Sequence, residues 1–450
     1  MRKSFSILVV MLLAGVVTVS RGDDLIQIYD IAVERDPTLR EAEQTMFATR
    51  EVKPQARALL LPNASVTGSI SYQNLNLKGP NVFGQSTTNT ETYNSQSLQA
   101  VVNQTVFNRG SWIKLKQSDN TIAQAEAQYR NAQIDLMVKT TQAYFKVLQA
   151  ADAVTVEEAL LRANERQLEQ SKQRFDVGLV AITDVNESQS AYDRSRADLI
   201  TAKNALGDAW EALRSIVGPI NTPLARLGEK LPLSPPEPAD INAWATTAVR
   251  NNYGIIAASE AANAAQKSIE IERSGFYPTV NLQAGYDSSY SAIQTTNDSQ
   301  TAFVGLSVSV PIFQGGAVTS RTRQAGYQFR AAQDRLDQVR RQVDQQVKDA
   351  FRGILSSIED VKARQAAIVS ARSALESTQA GLEVGTRTQV DVLNAQRNLF
   401  QAEYDYLSAR YNYIINGVKL HQATSTLTRD VLAKGNAWLN PADVVPPPAY

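Results

Sequence analysis

Residues 111–177 read SWIKLKQSDNTIAQAEAQYRNAQIDLMVKTTQAYFKVLQAADAVTVEEALLRANERQLEQSKQRFDV, 67 positions without a glycine or a proline. Leu115, Ile122, Tyr129, Leu136 and Ala143 recur every seven positions. Val147, Val154, Leu161, Leu168 and Phe175 continue at the same spacing, four residues out of phase. Apolar residues repeating every 3.5 positions on average are knobs that need a partner helix along their length. As one helix the stretch is about 100 Å long at roughly 1.5 Å per residue, deeper than the core of a compact domain. The spacing predicts a coiled-coil rod.

The flanks of the rod change period. Gly178 follows as a left-handed C-cap, and the loop from Leu179 to Thr183 leads into a helix over 184–217. Asp184 and Glu187 have capping-box spacing at its start. Upstream, Ala64, Val66, Gly68, Ile70 and Tyr72 alternate with Ser and Thr, which predicts a strand over about 64–72. A second strand, about 96–107, carries Leu98, Ala100, Val102 and Val106 on one face. Residues 73–93 between them are Asn, Thr, Ser and Gly rich and read as a loop. Helical patterns over Asp24–Arg35 and Pro37–Leu60 precede the strands.

The plan then recurs. Tyr277-Pro278-Thr279-Val280 opens a strand over about 279–290, a polar loop covers 288–300, and Val304, Leu306, Val308 and Val310 alternate in a strand over about 302–312. A second proline-free helix covers 317–381, and adding 207 to the later seam positions of the first rod gives Ile354, Val361, Ile368 and Leu375 within it and Leu382 just past its end, all apolar. Gly385 matches Gly178, Asp391 matches Asp184, and a last helix covers 389–422. The chain therefore divides into a first repeat over 23–217, a linker over 218–240 with six prolines, a second repeat over 241–422, and a tail over 423–450 whose proline-rich end reads as disordered.

Composition narrows the function. The 45 basic and 45 acidic residues cancel, so nothing draws the chain to nucleic acid. There is no cysteine and one histidine, His421, which excludes thiolate chemistry and zinc–cysteine sites. No Gly-rich phosphate loop, nucleophile elbow or metal cluster is present, so the reading is of a non-enzyme without cofactor or metal. Residues 1–22 read as a secretory signal, with Arg2 and Lys3 ahead of the apolar run Phe5–Val19; an N-terminal membrane anchor is the competing reading. No later stretch is apolar enough for a spanning helix, so entry into a membrane would need strands. Four strands cannot close a barrel, and an open edge in lipid costs several kcal/mol per unsatisfied group. Strands pooled from copies would solve this, two copies giving 8 and three giving 12, with apolar faces toward lipid and Ser/Thr faces toward water. A soluble sandwich with one buried face is the alternative for the strands alone.

Three segments carry a family resemblance: Val177-Gly178-Leu179-Val180-Ala181-Ile182-Thr183-Asp184-Val185, its counterpart Val384-Gly385-Thr386-Arg387-Thr388-Gln389-Val390-Asp391-Val392-Leu393, and Ala409-Arg410-Tyr411-Asn412-Tyr413-Ile414-Ile415-Asn416. With the duplication, they resemble the TolC family of outer-membrane efflux channels over about residues 24–430. The resemblance implies a mainly α fold with β: a homotrimer with a 12-stranded barrel, four strands per chain, in outer-membrane lipid, continued by a coiled-coil barrel through the periplasm. It implies an exit duct for efflux or type I secretion, docked through a periplasmic adaptor onto an inner-membrane transporter. It also implies a gate at the periplasmic tips. Arg387 would bond to the turn at Thr183 and Asp184 as a latch, with Leu382 where some members have a linking tyrosine. Asp391 would form the pore constriction, with Asn394 where some members have a second aspartate. The turns at Gly178 and Gly385 would receive the adaptor. A ring of Asp391 carboxylates would favour cations and raise one another's pKa. The competing class is a trimeric coiled-coil surface fibre or adhesin without transport. An ordinary dipole or cap role is the plain alternative for Asp184 and Asp391, and His421 and Trp112 read as ordinary helix and packing residues, Trp112 alternatively as an interface anchor.

Overall fold

The computed structural model describes residues 22–80, 83, 84, 86–292 and 297–448, so the expected signal segment lies outside the described residues except for Gly22. The chain opens with α1 (Leu25–Arg35), α2 (Pro37–Arg50) and α3 (Val52–Ala58). It continues through β1 (Asn63–Pro80), β2 (Ser86–Phe107), α4 (Arg109–Asp176) and α5 (Ile182–Val217). A short strand, β3 (Leu224–Leu227), leads to α6 (Ile241–Asn251) and α7 (Tyr253–Arg273). The order then repeats as β4 (Thr279–Ser291), β5 (Asn297–Ser309), α8 (Ala317–Glu383) and α9 (Gln389–Ala423), and α10 (Arg429–Asn436) and β6 (Leu439–Val445) close the chain. The fold is mainly helical, and both rods are single helices within two residues of the expected bounds. The helix expected over Pro37–Leu60 is split at Glu51, because Pro54 has no N–H to return to Arg50.

The chain folds as two compact units. The strand-bearing unit comprises Thr38–Gln133 and Ala245–Gln345. Its four-stranded antiparallel sheet has the order β1-β2-β4-β5. Register puts Ala64, Val102, Ala284 and Val304 in one row and Val66, Ala100, Tyr286 and Ala302 in the next. Partners directly opposite share a face, so the four apolar stripes fuse into one continuous apolar surface. Within one chain this surface is bare: Ile70 is 81% and Val304 78% exposed. The other face carries Ser65, Thr67, Gln99, Asp287, Asn281 and Ser307. No helix among the described residues is long and apolar enough to cross a membrane.

The expected loops at 73–93 and 288–300 are overturned in large part. β1 runs on to Pro80, β2 begins at Ser86, β4 extends to Ser291 and β5 begins at Asn297. The extra strand has no apolar alternation to reveal it. Polar cross-strand contacts accompany its backbone ladder instead, such as the Tyr93 hydroxyl donating to Gln73 Oε1 at 2.6 Å. β2 pairs with β4 only from Ser95 onward, so residues 73–80 and 86–93 form a two-stranded projection.

Among the described residues, the helical unit comprises 22–37, 134–244 and 346–448. Leu25, Ile28, Tyr144, Phe145, Leu148, Trp210, Leu213 and Leu420 are its buried core. The segment 409–416 acts there as a clamp. Arg410 donates from Nη2 to the Gly228 carbonyl, and the Tyr411 hydroxyl donates to Asp152 Oδ2 at 2.5 Å. The Tyr413 hydroxyl donates to the Ser234 carbonyl at 3.0 Å and accepts from Ser234 N at 3.1 Å. Asn416 Nδ2 donates to Ser357 Oγ on α8 at 2.8 Å. Three of these bonds reach the linker, which is irregular apart from β3 but tied down.

The expected disorder of the tail is also overturned over Leu439–Val445. β6 pairs antiparallel with β3, burying Leu439 and Val445. Proline content suggested a loose end, but Pro441 sits on an edge, where its missing N–H goes unused and its carbonyl accepts from Gly22 N at 3.2 Å.

Candidate functional site

The two helix turns at the ends of α4 and α8 are built alike. Gly178 has φ +76° and Gly385 φ +77°, a conformation that strains any residue with a Cβ. Gly178 N donates to Phe175 O and Leu179 N to Arg174 O, both at 2.8 Å. Gly385 N donates to Leu382 O at 3.2 Å and Thr386 N to Gly381 O at 2.8 Å. Each set satisfies two orphan carbonyls in the Schellman pattern.

The next helix starts differ. At α9, Thr388 is the N-cap and Asp391 completes a capping box: Asp391 N donates to Thr388 Oγ1 at 3.3 Å, and Asp391 Oδ2 accepts from Thr388 N and Oγ1 at 2.9 Å each. At α5 the corresponding N-cap is Ala181, without a side-chain bond. Asp184 is therefore not the cap its spacing with Glu187 suggested; it lies in the first turn, its N–H on Ala181 O at 3.1 Å. We expect Ala181→Thr to create the missing box with Asp184 and stabilise this turn by about 1 kcal/mol, read as slower hydrogen exchange over 182–186. Unchanged exchange there would show that the turn does not need a cap.

Hydrogen bonds from the Thr388 N–H, and next from its hydroxyl, hold the Asp391 carboxyl below the usual carboxylate range. A depressed folded pKa keeps the anion through neutral pH; the stabilisation it brings is present above the ordinary value and is lost as pH falls through the folded one. Thr388→Ala keeps the N–H and removes the hydroxyl, so it should move the Asp391 titration part of the way upward, measured by ¹³C NMR of the labelled carboxyl; an unmoved or lowered midpoint would discard the hydroxyl as a cause.

Asn394 follows one turn later, and its Oδ1 accepts from Arg397 Nη2 at 2.5 Å. Sequence reading missed Arg397; its i,i+3 spacing from Asn394 was the available signal. Leu382 is half-buried with its carbonyl in the Gly385 turn. The Arg387 stem lies over Gly381, where a Cβ would meet Arg387 Cγ at 2.6 Å. Among the described residues of one chain, no hydrogen bond joins Arg387 to Thr183 or Asp184.

A buried polar ladder was also missed. Ser171 Oγ and Ser188 Oγ lie 2.9 Å apart, Gln389 Nε2 donates to Ser188 Oγ at 3.1 Å, and Gln167 Nε2 donates to Gln389 Oε1 at 3.1 Å. Higher up, Gln396 Nε2 donates to Asn164 Oδ1 at 2.9 Å. These bonds join α4, α5 and α9. Their sequence signal is heptad spacing of polar residues, as in Asn164/Ser171 and Gln389/Gln396.

Comparison with known proteins places the chain. The outer membrane efflux protein family matches residues 28–219 and 244–426. "Outer membrane protein TolC" of Escherichia coli (strain K12) is 35% identical over 99% of this chain and 91% of its own length. The "Alkaline protease secretion protein AprF" of Pseudomonas aeruginosa is 27% identical over 87% of this chain and 82% of its own. In fold, the chain resembles the Campylobacter jejuni CmeC outer membrane channel, with a TM-score of 0.79 at 15% identity, over 92% of this chain and 89% of that one. The chain therefore belongs to the outer membrane efflux protein family, as an exit duct for efflux or type I secretion in the outer membrane of a Gram-negative bacterium with a large periplasmic helical part.

Proposed function

We propose that three copies of this chain pool their sheets into one 12-stranded barrel whose duct is gated at the helix tips. The observation that carries this reading is the bare apolar face of a sheet with both edges, β1 and β5, unpaired among the described residues. In lipid each unpaired backbone group would cost several kcal/mol, so the edges must be met by other copies. Three is the number the family resemblance supplies. The polar face then lines the water path.

At the tips, Asp391 forms a ring of three carboxylates at the narrowest point, beside Asn394. The Arg387 latch to Thr183 and Asp184 is made between copies, since one chain does not make it. Leu382 contributes no hydroxyl to that latch. The Gly178 and Gly385 turns present Val177, Leu179, Ile182 and Val384 to solvent, with Leu179 and Val384 each 74% exposed, and this apolar rim receives the periplasmic adaptor, which joins the duct to an inner-membrane transporter.

Single-channel recording of the purified protein in a planar bilayer, with Arg387→Ala alongside, tests the reading. A small cation-selective conductance that grows in the variant supports a duct latched at its tips. A folded trimer that conducts in neither form would favour a structural fibre, and the gate would fall with the duct.

A further inference from the structure

The helical unit is not held together uniformly. Around Tyr144, Leu148, Trp210 and Leu213 its buried contacts are mainly apolar, with the Tyr144 hydroxyl donating to the Ala225 carbonyl. Toward the tips, Asn164, Ser171, Ser188, Ser195, Gln389 and Gln396 are each at least nine-tenths buried, interleaved with Leu160, Leu168, Val392 and Leu399. The polar residues fall into three pairs spaced by seven, 164/171 on α4, 188/195 on α5 and 389/396 on α9. They therefore occupy seam positions, where a coiled coil ordinarily places apolar knobs.

Polar seam residues trade stability for something else. Separating an apolar rung exposes its whole transfer free energy to water. Separating a hydrogen-bonded polar rung exchanges protein partners for water at little net change. The Gln396–Asn164 rung and the Ser171–Ser188–Gln389 rung each run between the first hairpin and α9 of the second. Both partners of each rung keep donors and acceptors that water can satisfy. Around Tyr144 and Leu148, α4 also meets α9 through polar rungs, Tyr411 on Asp152 and Gln149 on Ser408, but there Asp152 also holds Arg226, so parting would break a buried charged network inside an apolar core.

We propose that this polar ladder is the gating seam of the duct, the line along which α9 leaves α4 and α5 when the tips open. It rests on the reading of the tips as a gate, and adds the residues that make parting easy inside each chain. The ladder fixes the closed register through directional bonds while keeping the separated state close in free energy. The latch between copies and the seam within a chain are then separate controls on one movement.

Replacing both partners of one rung tests it. Asn164→Leu with Gln396→Leu leaves no polar group stranded, which favours folding, and dries the seam. Trimers of this variant should reach the outer membrane and resist heat at least as well as the wild type. Their open events in a planar bilayer should fall by roughly tenfold or more, because opening now exposes two leucines. The polar pair Asn164→Ser with Gln396→Ser should restore opening to near the wild-type frequency. Leucine-pair channels that open as often as the wild type would overturn the proposal while leaving the duct in place. So would a serine pair as closed as the leucine pair. A wild-type trimer without conductance would remove the duct reading itself, and the seam with it.

Discussion

Asp152→Ala should cost the folded protein about 3 kcal/mol, the low end for removing one partner from a buried ion pair. Asp152 is buried on α4 and serves two elements far away in sequence. Its Oδ2 accepts the Tyr411 hydroxyl at 2.5 Å, and its Oδ1 accepts Arg226 Nη1 at 3.1 Å. Alanine would strand the Tyr411 hydroxyl in the core. Arg226 would keep an ion pair with Asp443 at 3.5 Å and some solvent, which is why the low end applies. The site joins α4, α9, β3 and β6, so its loss should also release the tail strand. Thermal unfolding of detergent-solubilised protein, with proteolysis of the tail as a second readout, measures both. An unchanged Tm would show that Asp443 alone suffices to hold Arg226.

The same carboxyl has a pH signature. Burial raises its pKa above the ordinary value, against the opposing pull of the Tyr411 hydroxyl and then of Arg226. A raised folded pKa means that the native state binds more protons than the unfolded one between the two values. Stability from this group is therefore fully present below the ordinary aspartate range and is lost as pH rises through the folded value. Asp152→Asn does not titrate, so the advantage of wild type over Asn should shrink with rising pH across that window. An advantage that grows with pH would reverse the sign and assign the Arg226 pairing the larger weight.

Much of this architecture was legible because its signals are periodic. Leu168, Val147 and Ile354 repeat at heptad spacing and are buried in the helical unit. Val304, Leu306 and Val308 alternate and share one sheet face. The misses came where period and polarity part. Residues 86–94 are strand without an apolar stripe, held by backbone pairing that composition does not reveal. Leu439–Val445 is an edge strand despite Pro441, because only its two ends are buried. At the tips, the glycines were readable from their left-handed turns. The ladder was not, since serine and glutamine at seam positions look like solvated faces until the facing helix is known. The Asp184/Glu187 spacing is that of a capping box, whereas the backbone places the cap at Ala181.

The tip chemistry yields the second large effect, in ion selectivity. In the proposed ring of three copies, Asp391 would contribute −3, Asn394 nothing and Arg397 +3, so the carboxylates would be offset by guanidinium groups two turns along α9. Arg397 is fixed near the ring by its 2.5 Å bond to Asn394 Oδ1. A unit charge about 4 Å from a passing ion is worth ~1 kcal/mol even in bulk water, a factor of about five in permeability ratio. Arg397→Ala should therefore raise the preference for K⁺ over Cl⁻ by roughly fivefold, read from reversal potentials in a KCl gradient at low ionic strength. Asn394→Asp adds the same net charge, but Arg397 lies within reach to pair with it, so its gain should be smaller. With both substitutions the pairing is gone and the preference should be largest, while Asp391→Asn, which leaves only the Arg397 charges, should abolish or reverse it. The order follows from charge and distance, not from any change in pore width, so single-channel conductance of Arg397→Ala should change less than selectivity. If Asp391→Asn abolishes the preference while Arg397→Ala and Asn394→Asp both leave it unchanged, the ion path passes Asp391 but not the next two turns. Asn394 would then leave the constriction, and the proposed ring would be of Asp391 alone.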